Sequence, residues 1–193
     1  MTGSELIGNL IVAPPCIKGS FWYKTVILVT EHNSRSSVGL VINKPSNYTI
    51  RELGKQLGLN IDLPGYVYIG GPVSPKSLSV IHSNEWSCKN TMRINHELSI
   101  SSADDILPRF AQGDLPLNWR LFVGMSTWAA GQLEKEILGQ PPYELNSSWC
   151  LAISTQELIY DYDGRDQWIA AINQSSKYFA VQVLTKLNIE GYV

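Results

Sequence analysis

The sequence predicts an α+β fold with a curved, mixed β-sheet, and three observations carry that expectation. Short apolar, β-branched runs and helical patterns follow one another along all 193 residues. Three or more strands precede the first clear helix, whereas a doubly wound parallel sheet would alternate strand and helix regularly. No repeat, low-complexity tract or long linker interrupts the pattern, so residues 1–193 read as one domain. A chain of this length buries roughly 70% of its unfolded surface, enough to build a core without staples.

Residues 6–13 form the first expected strand, stopped by Pro14-Pro15, which cannot continue a hydrogen-bonded ladder. Residues 25–30 (TVILVT) are almost wholly apolar and β-branched, the pattern of a strand buried on both faces. Residues 34–37 read as a turn and 38–42 as the returning strand of a hairpin. Thr49-Ile50-Arg51-Glu52 has capping-box spacing, so a helix is expected over 50–57, ended by Gly58. Strands at 66–69 and 78–82 flank a Gly-Gly-Pro turn, and alternation is poor over 92–100. Ser102 caps a helix over 103–111, with Asp104 and Asp105 where the helix dipole favours negative charge. A buried strand at 120–123 precedes a helix over 129–138, closed by Gly139 and striped by Leu133, Ile137 and Leu138. A strand at 150–153 and helical segments at 167–173 and 179–187 complete the order.

Composition excludes several function classes. Lys and Arg number 15 against 17 Asp and Glu, a net charge of -2, and Lys18, Lys24, Arg35 and Lys44 are scattered. That distribution offers neither nucleic acid nor an anionic membrane a basic face. No stretch approaches the ~18 uninterrupted apolar residues of a membrane span. Residues 1–5 carry no positive charge and Asn9 breaks the run that follows, so no secretory signal is expected. Cys16, Cys88 and Cys150 are widely spaced and make no Cys-x-x-Cys pair. The expected location is the reducing cytoplasm, where the Asn-x-Ser/Thr triplets at Asn47, Asn146 and Asn173 stay unmodified.

Four local patterns stand out. They are Gly8-Asn9-Leu10-Ile11-Val12-Ala13-Pro14; Glu31-His32-Asn33 with Gly39-Leu40-Val41-Ile42-Asn43-Lys44-Pro45; Tyr68-Ile69-Gly70-Gly71-Pro72-Val73 with His82; and Trp128-Ala129-Ala130-Gly131-Gln132-Leu133-Glu134-Lys135-Glu136 with Trp149 and Trp168. Together they resemble the AlgH/YqgE family of small bacterial-type proteins. The chain departs from the family pattern at Gly19-Ser20-Phe21, where an Asp-Pro step is usual. It departs again at Lys24-Thr25, in place of Arg-Ser, and at Met125-Ser126-Thr127, in place of a Gly-Tyr lead. The resemblance implies an α+β domain whose curved, split mixed sheet forms a partial barrel flanked by helices. It also brings the label of transcriptional regulator, yet the chain has no basic recognition helix, zinc-finger spacing or basic stripe.

The candidate ligand-binding residues are Glu31, His32, Asn43, Gly70, Gly71, Pro72, His82, Trp128 and Gln132. Glu31-His32 follows a buried strand, where a carboxylate beside a histidine can act as acid or base, or can satisfy strand-end backbone and hold the hairpin to Asn43. Gly70-Gly71-Pro72 lets backbone approach a ligand or makes a tight turn; it lacks the spacing of a phosphate loop. A helix starting at Trp128 would offer free N–H groups to an anion beside a large aromatic, or Trp128 packs in the core and Gln132 caps. Ser126-Thr127 lacks the glycines of a nucleophile elbow, and His32, His82 and His96 lack metal-ligand pairing. No catalytic residue, metal or cofactor is therefore assigned. The expectation is a non-enzymatic binding or regulatory protein for a small molecule or protein partner. The alternative is an enzyme acting on a small anionic substrate through His32 or His82.

Overall fold

The computed structural model describes residues 6–144 and 148–186, and its sheet grows outward from the most apolar runs. Strands β2 (Val26–His32) and β3 (Ser36–Val41) form the expected antiparallel hairpin. The Asn33 side chain closes its turn by accepting from the N–H groups of Arg35 at 2.8 Å and Ser36 at 3.2 Å, a local bond that replaces ladder pairing. Strand β1 (Leu10–Val12) pairs with the other edge of β2, which therefore lies inside the sheet, as its apolar composition requires. β1 is shorter than residues 6–13 because the Asn9 N–H donates to the Leu6 carbonyl at 3.1 Å, a turn that halts the ladder.

Strand β4 (Pro45–Thr49) has no apolar alternation and was not expected; Pro45 occupies its first position, where no ladder N–H is needed. Helix α1 (Ile50–Gln56) opens with the predicted capping box: the Glu52 N–H donates to the Thr49 hydroxyl at 3.2 Å and the Thr49 N–H to the Glu52 carboxylate at 2.8 Å. These Thr49 bonds hold the Glu52 carboxyl below its usual range. Strands β5 (Tyr66–Ile69) and β6 (Val73–Ser83) follow, and the weak stretch over 92–100 resolves into β7 (Met92–Arg93) and β8 (Leu98–Ser102). Helix α2 (Ala103–Phe110) starts from Ser102, as expected.

The largest revision lies in strand β9 (Trp119–Ala129), which runs far beyond residues 120–123. Gly39, Val38, Ser37 and Ser36 of β3 pair with Ser126, Thr127, Trp128 and Ala129, so Trp128 is a strand residue and not the start of a helix. Helix α3 (Gln132–Leu138) begins after Gly131, whose left-handed conformation ends the extended run. Leu133 is fully buried in it, whereas Leu138 is exposed and outside the stripe. Strand β10 (Cys150–Ala152) and an unexpected helix α4 (Gln156–Tyr160), capped by Thr155, precede helix α5 (Gly164–Lys186). α5 is continuous where two segments were expected; Leu187 and Asn146 lie outside the described residues.

The strand order is β10-β1-β2-β3-β9-β6-β8-β7, with β5 running parallel to β9 and pairing β4. This is a curled, mainly antiparallel half-barrel with helices against it, the α+β class. Along one edge of β9, β3 pairs with residues 126–129 and β5 with Phe122 and Val123, so the sheet forks. Gly70 and Gly71 stand at the fork. A Cβ on Gly70 would lie 2.5 Å from the Gly124 carbonyl oxygen, and one on Gly71 would overlap the Met125 carbonyl. The glycines give up a side chain so that backbone can meet backbone.

Alternation along the strands divides the core. Leu10, Leu28, Leu40, Ile81 and Phe122 face Leu158, Ile159 and Ala171 of α4 and α5. On the opposite face, Val80 and Leu121 meet α1 and α2, while Ile27, Val29, Val41 and Trp128 meet Leu133 of α3. Burial of each such aliphatic side chain contributes roughly 1.5–3 kcal/mol. Among the described residues, no helix is long and apolar enough to cross a membrane.

Candidate functional site

The α3 face of β2, β3 and β9 carries a row of polar side chains. Register pairs His32 with Ser37 and Ser37 with Trp128, so all three project to one side. Strict alternation from Val29 would send Glu31 to that face. A register shift between Val29 and Glu31 instead turns His32 inward and leaves Glu31 exposed. His32 Nδ1 lies 2.7 Å from the Ser37 hydroxyl and Nε2 lies 3.5 Å from a Glu134 oxygen. These are the residue types of a hydrolase triad, but Ser37 is 2% exposed and the His32 side chain 4%. A substrate has no route to that hydroxyl, so the series is a polar tie from the buried sheet residues to the partly exposed Glu134 of α3.

Beside this row opens a cavity of about 350 Å³ lined by Pro72, Trp128, Gln132, Glu136, Tyr143 and Trp149, with Trp22 and Ser126 on its walls. Glu136 is its hub. One carboxylate oxygen accepts from the Trp128 indole N–H at 3.0 Å and the Trp149 indole N–H at 2.8 Å; the other accepts from the Gln132 amide at 2.9 Å. Gln132 in turn accepts from the Ala129 N–H at 3.0 Å, which holds the chain as it leaves β9 for α3. Gln132 and Glu136 reach the same place because residues four apart share a helix face. Gly39 admits the Trp128 ring: a Cβ there would lie 3.4 Å from it and 2.7 Å from Ile27. Trp22 meets Trp149 edge to face, with centroids 5.7 Å apart at 84°.

A second cavity, of about 300 Å³, is lined by Tyr68, Arg120, Tyr160, Asp161, Tyr162, Asp163 and Asp166. Arg120 donates to the carbonyls of Ile42 at 2.8 Å, Tyr160 at 3.3 Å and Tyr162 at 3.1 Å, and to Gln167 at 3.3 Å. It lies 4.3 Å from the Tyr68 ring centroid. Burial pushes its pKa down and also pushes the Tyr160 phenol well above its ordinary value.

A family model described as AlgH-like matches residues 10–179. The chain belongs to the AlgH-like family. A UPF0301 protein of Shewanella denitrificans is 31% identical to this AlgH-like chain over 174 residues, covering 88% of the chain and 91% of the relative. Another from Haemophilus influenzae is 30% identical, covering 86% and 89%. The solution structure of the AlgH protein from Pseudomonas aeruginosa superposes with a TM-score of 0.72 at 27% identity, covering 90% of this chain and 89% of that one. A crystal structure of a Corynebacterium diphtheriae protein, at TM-score 0.67 and 24% identity over 84% and 83%, shares the fold.

Of the residues singled out in the AlgH-like sequence, Pro72, Trp128 and Gln132 meet in the larger cavity. Gly70 and Gly71 serve the fork behind it. Asn43 sits at the opposite end of β2 from Glu31 and His32 and does not hold the hairpin turn. It accepts from the Val26 N–H at 2.9 Å and donates to the carbonyls of Lys24 at 2.8 Å and Gly164 at 2.9 Å, joining strand to α5. His82 is fully buried on β6, with Nδ1 3.0 Å from the Ser83 carbonyl and Nε2 2.9 Å from the Ser101 hydroxyl. Burial holds its pKa below the ordinary histidine value. Among the described residues, no group of three or more His, Cys, Asp or Glu side chains is gathered as a metal ion needs. Trp22 and Tyr143 were not singled out, and Glu136 and Trp149, though part of the fourth sequence pattern, were not among the candidate ligand-binding residues. Only Glu136 had a local signal, its four-residue spacing from Gln132; the others arrive from distant loops.

Proposed function

We propose that this AlgH-like chain is a non-enzymatic binding protein whose small-molecule ligand, or a side chain of a protein partner, occupies the Glu136 cavity. The single observation behind this reading is the cavity wall: Trp22, Pro72, Trp128 and Trp149 come from separate segments, and the indoles of Trp128 and Trp149 are held by bonds to the one Glu136 carboxylate. A concave, mostly apolar pocket with a few convergent polar groups is the usual form of a small-ligand site. Acid-base catalysis has less support. The His32 side chain is buried against Ser37 and Glu134, outside the cavity lining, and His82 is tied to Ser83 and Ser101. Glu136 is the one formally charged side chain among the described lining residues, which disfavours a small anionic substrate. The seven-residue α3 starts without a side-chain cap and after Trp128, so it supplies no anion site there.

Sequence-specific DNA binding has no support in a chain of net charge -2 with scattered cations. We read residues 1–193 as one domain, because Leu121, Phe122 and Trp128 of β9 each belong to a different apolar cluster and join all three. We also place the protein in the cytoplasm, a reading supported by three cysteines of which none is in a disulfide. The test of the binding reading is a small-fragment screen followed by nuclear magnetic resonance, with the indole N–H signals of Trp128 and Trp149 as reporters and that of Trp86 as control. Hits should move the first two and spare the third. Hits that move only Trp86, or no hits, would overturn it.

A further inference from the structure

We propose that the ligand of the Glu136 cavity is an organic cation carrying a substituted ammonium group, seated against the rings of Trp22, Trp128, Trp149 and Tyr143 with Glu136 as its counter-charge. This rests on the reading that the cavity is a binding site. The first argument is charge. The wall holds aromatic rings and one carboxylate, and no lysine, arginine or histidine among the described lining residues. An anion would meet a like charge there, and a neutral ligand would leave the carboxylate without a counter-ion in a half-enclosed apolar setting.

The second argument is acceptor arithmetic. A carboxylate offers about four acceptor positions on its two oxygens. Three are taken, by two indole N–H groups and one amide, all of them neutral. These donors orient Glu136 without cancelling its charge.

Ring orientation supplies the third argument. An indole N–H lies in the plane of its ring, so the planes of Trp128 and Trp149 both run toward the same Glu136 oxygen. Both rings line the cavity beside that carboxylate, and Trp22, on the same wall, stands perpendicular to Trp149 at 84°. Ring faces are the negative part of the aromatic quadrupole and attract a cation placed over them. A metal ion fits poorly, since it needs several oxygen ligands and the wall has one carboxylate. A substituted ammonium fits well, because its alkyl groups carry little hydration to lose and pack on apolar rings. The cavity of about 350 Å³ holds such a head group with a short chain attached.

The experiment titrates the full chain, by calorimetry and tryptophan fluorescence at constant ionic strength, with three probes: choline, its uncharged isostere with carbon in place of the quaternary nitrogen, and acetate. Choline should bind about 5- to 30-fold more tightly than the isostere, the span expected of a cation over desolvated rings. Glu136→Gln should remove most of that preference. Because this change also disturbs the three bonds to Glu136, Trp22→Leu is the second variant; it removes a ring and leaves those bonds in place. Trp22→Leu should weaken choline more than the isostere while the thermal unfolding midpoint confirms folding. If choline and the isostere bind equally, or acetate binds best, the cavity stands as a binding site and the cation assignment is wrong. If none of the probes gives saturable binding at millimolar concentration, and fragments leave Trp128 and Trp149 unmoved, the binding reading falls as well.

Discussion

Strand β9 borders two regions that use a charge differently. At its start, Arg120 puts four N–H bonds into the carbonyls of Ile42, Tyr160 and Tyr162 and the Gln167 side chain, with Asp163 close enough to favour its charge. Near its end, the Trp128 indole turns to Glu136, which collects neutral donors only. Arg120 finds its acceptors, with the Asp163 carboxylate nearby, in its own chain, and it locks β9 to the segment between α4 and α5. Glu136 finds dipoles but no cation in its cavity. A charge satisfied from within is structural, and a charge oriented but left without a counter-ion is available to something from outside.

The sharpest way to break this contrast is Arg120→Met, which strands buried carbonyls and should cost about 3–5 kcal/mol in urea unfolding. If that variant lost no more stability than a change at Glu136, the closed region would not be the more structural one. Gly71→Ala comes next. The added methyl group would overlap the Met125 carbonyl at the fork between the regions, costing about 2–3 kcal/mol. Its amide exchange should accelerate around residues 126–129 before it does around Arg120. Glu136→Gln keeps one acceptor oxygen for the two indoles but loses the acceptor of the Gln132 amide, and should cost about 1–2 kcal/mol, read as a shift in the urea midpoint.

The smallest effect concerns pH in the closed region, where His82 pairs in register with Trp119. Burial holds the pKa of His82 below the ordinary value of 6.5, so the folded state binds a proton less readily than the unfolded chain. The stability His82 contributes is present above about pH 6.5 and is lost as pH falls through its lower folded pKa. Urea unfolding followed from about pH 7 to about pH 5 should lose more stability in the native chain than in His82→Gln. Equal slopes would remove His82 as the source.

Much of the fold was readable from local chemistry. The β2–β3 hairpin, the Thr49 capping box and the Ser102 cap depend on residues within a few positions of one another, and each was found where its side chains predicted. β9 was cut short because Gly124, Ser126 and Thr127 give no apolar alternation; the burial of Gly124 and Ser126 comes from partner strands. α4 was missed because it is short and its cap, Thr155, lies in an otherwise unpatterned stretch. Of the site, Pro72, Trp128 and Gln132 were within reach of the sequence. Trp22 was not, nor was its meeting with Trp149, since the two enter the cavity from segments more than a hundred residues apart.

By itself, then, the sequence determined the class of fold, the family, the main strand cores and the starts of α1 and α2, because periodicity and caps act over a few residues. Tertiary structure alone decided which way each polar side chain faces and what it meets. One register shift at Thr30 exchanged His32 for Glu31 on the inner face, since side chains alternate with a period of two and one extra residue inverts them. The meeting of Trp22, Trp128, Gln132 and Trp149 around Glu136 depends on the docking of α3 and distant loops on that face, which no local pattern encodes.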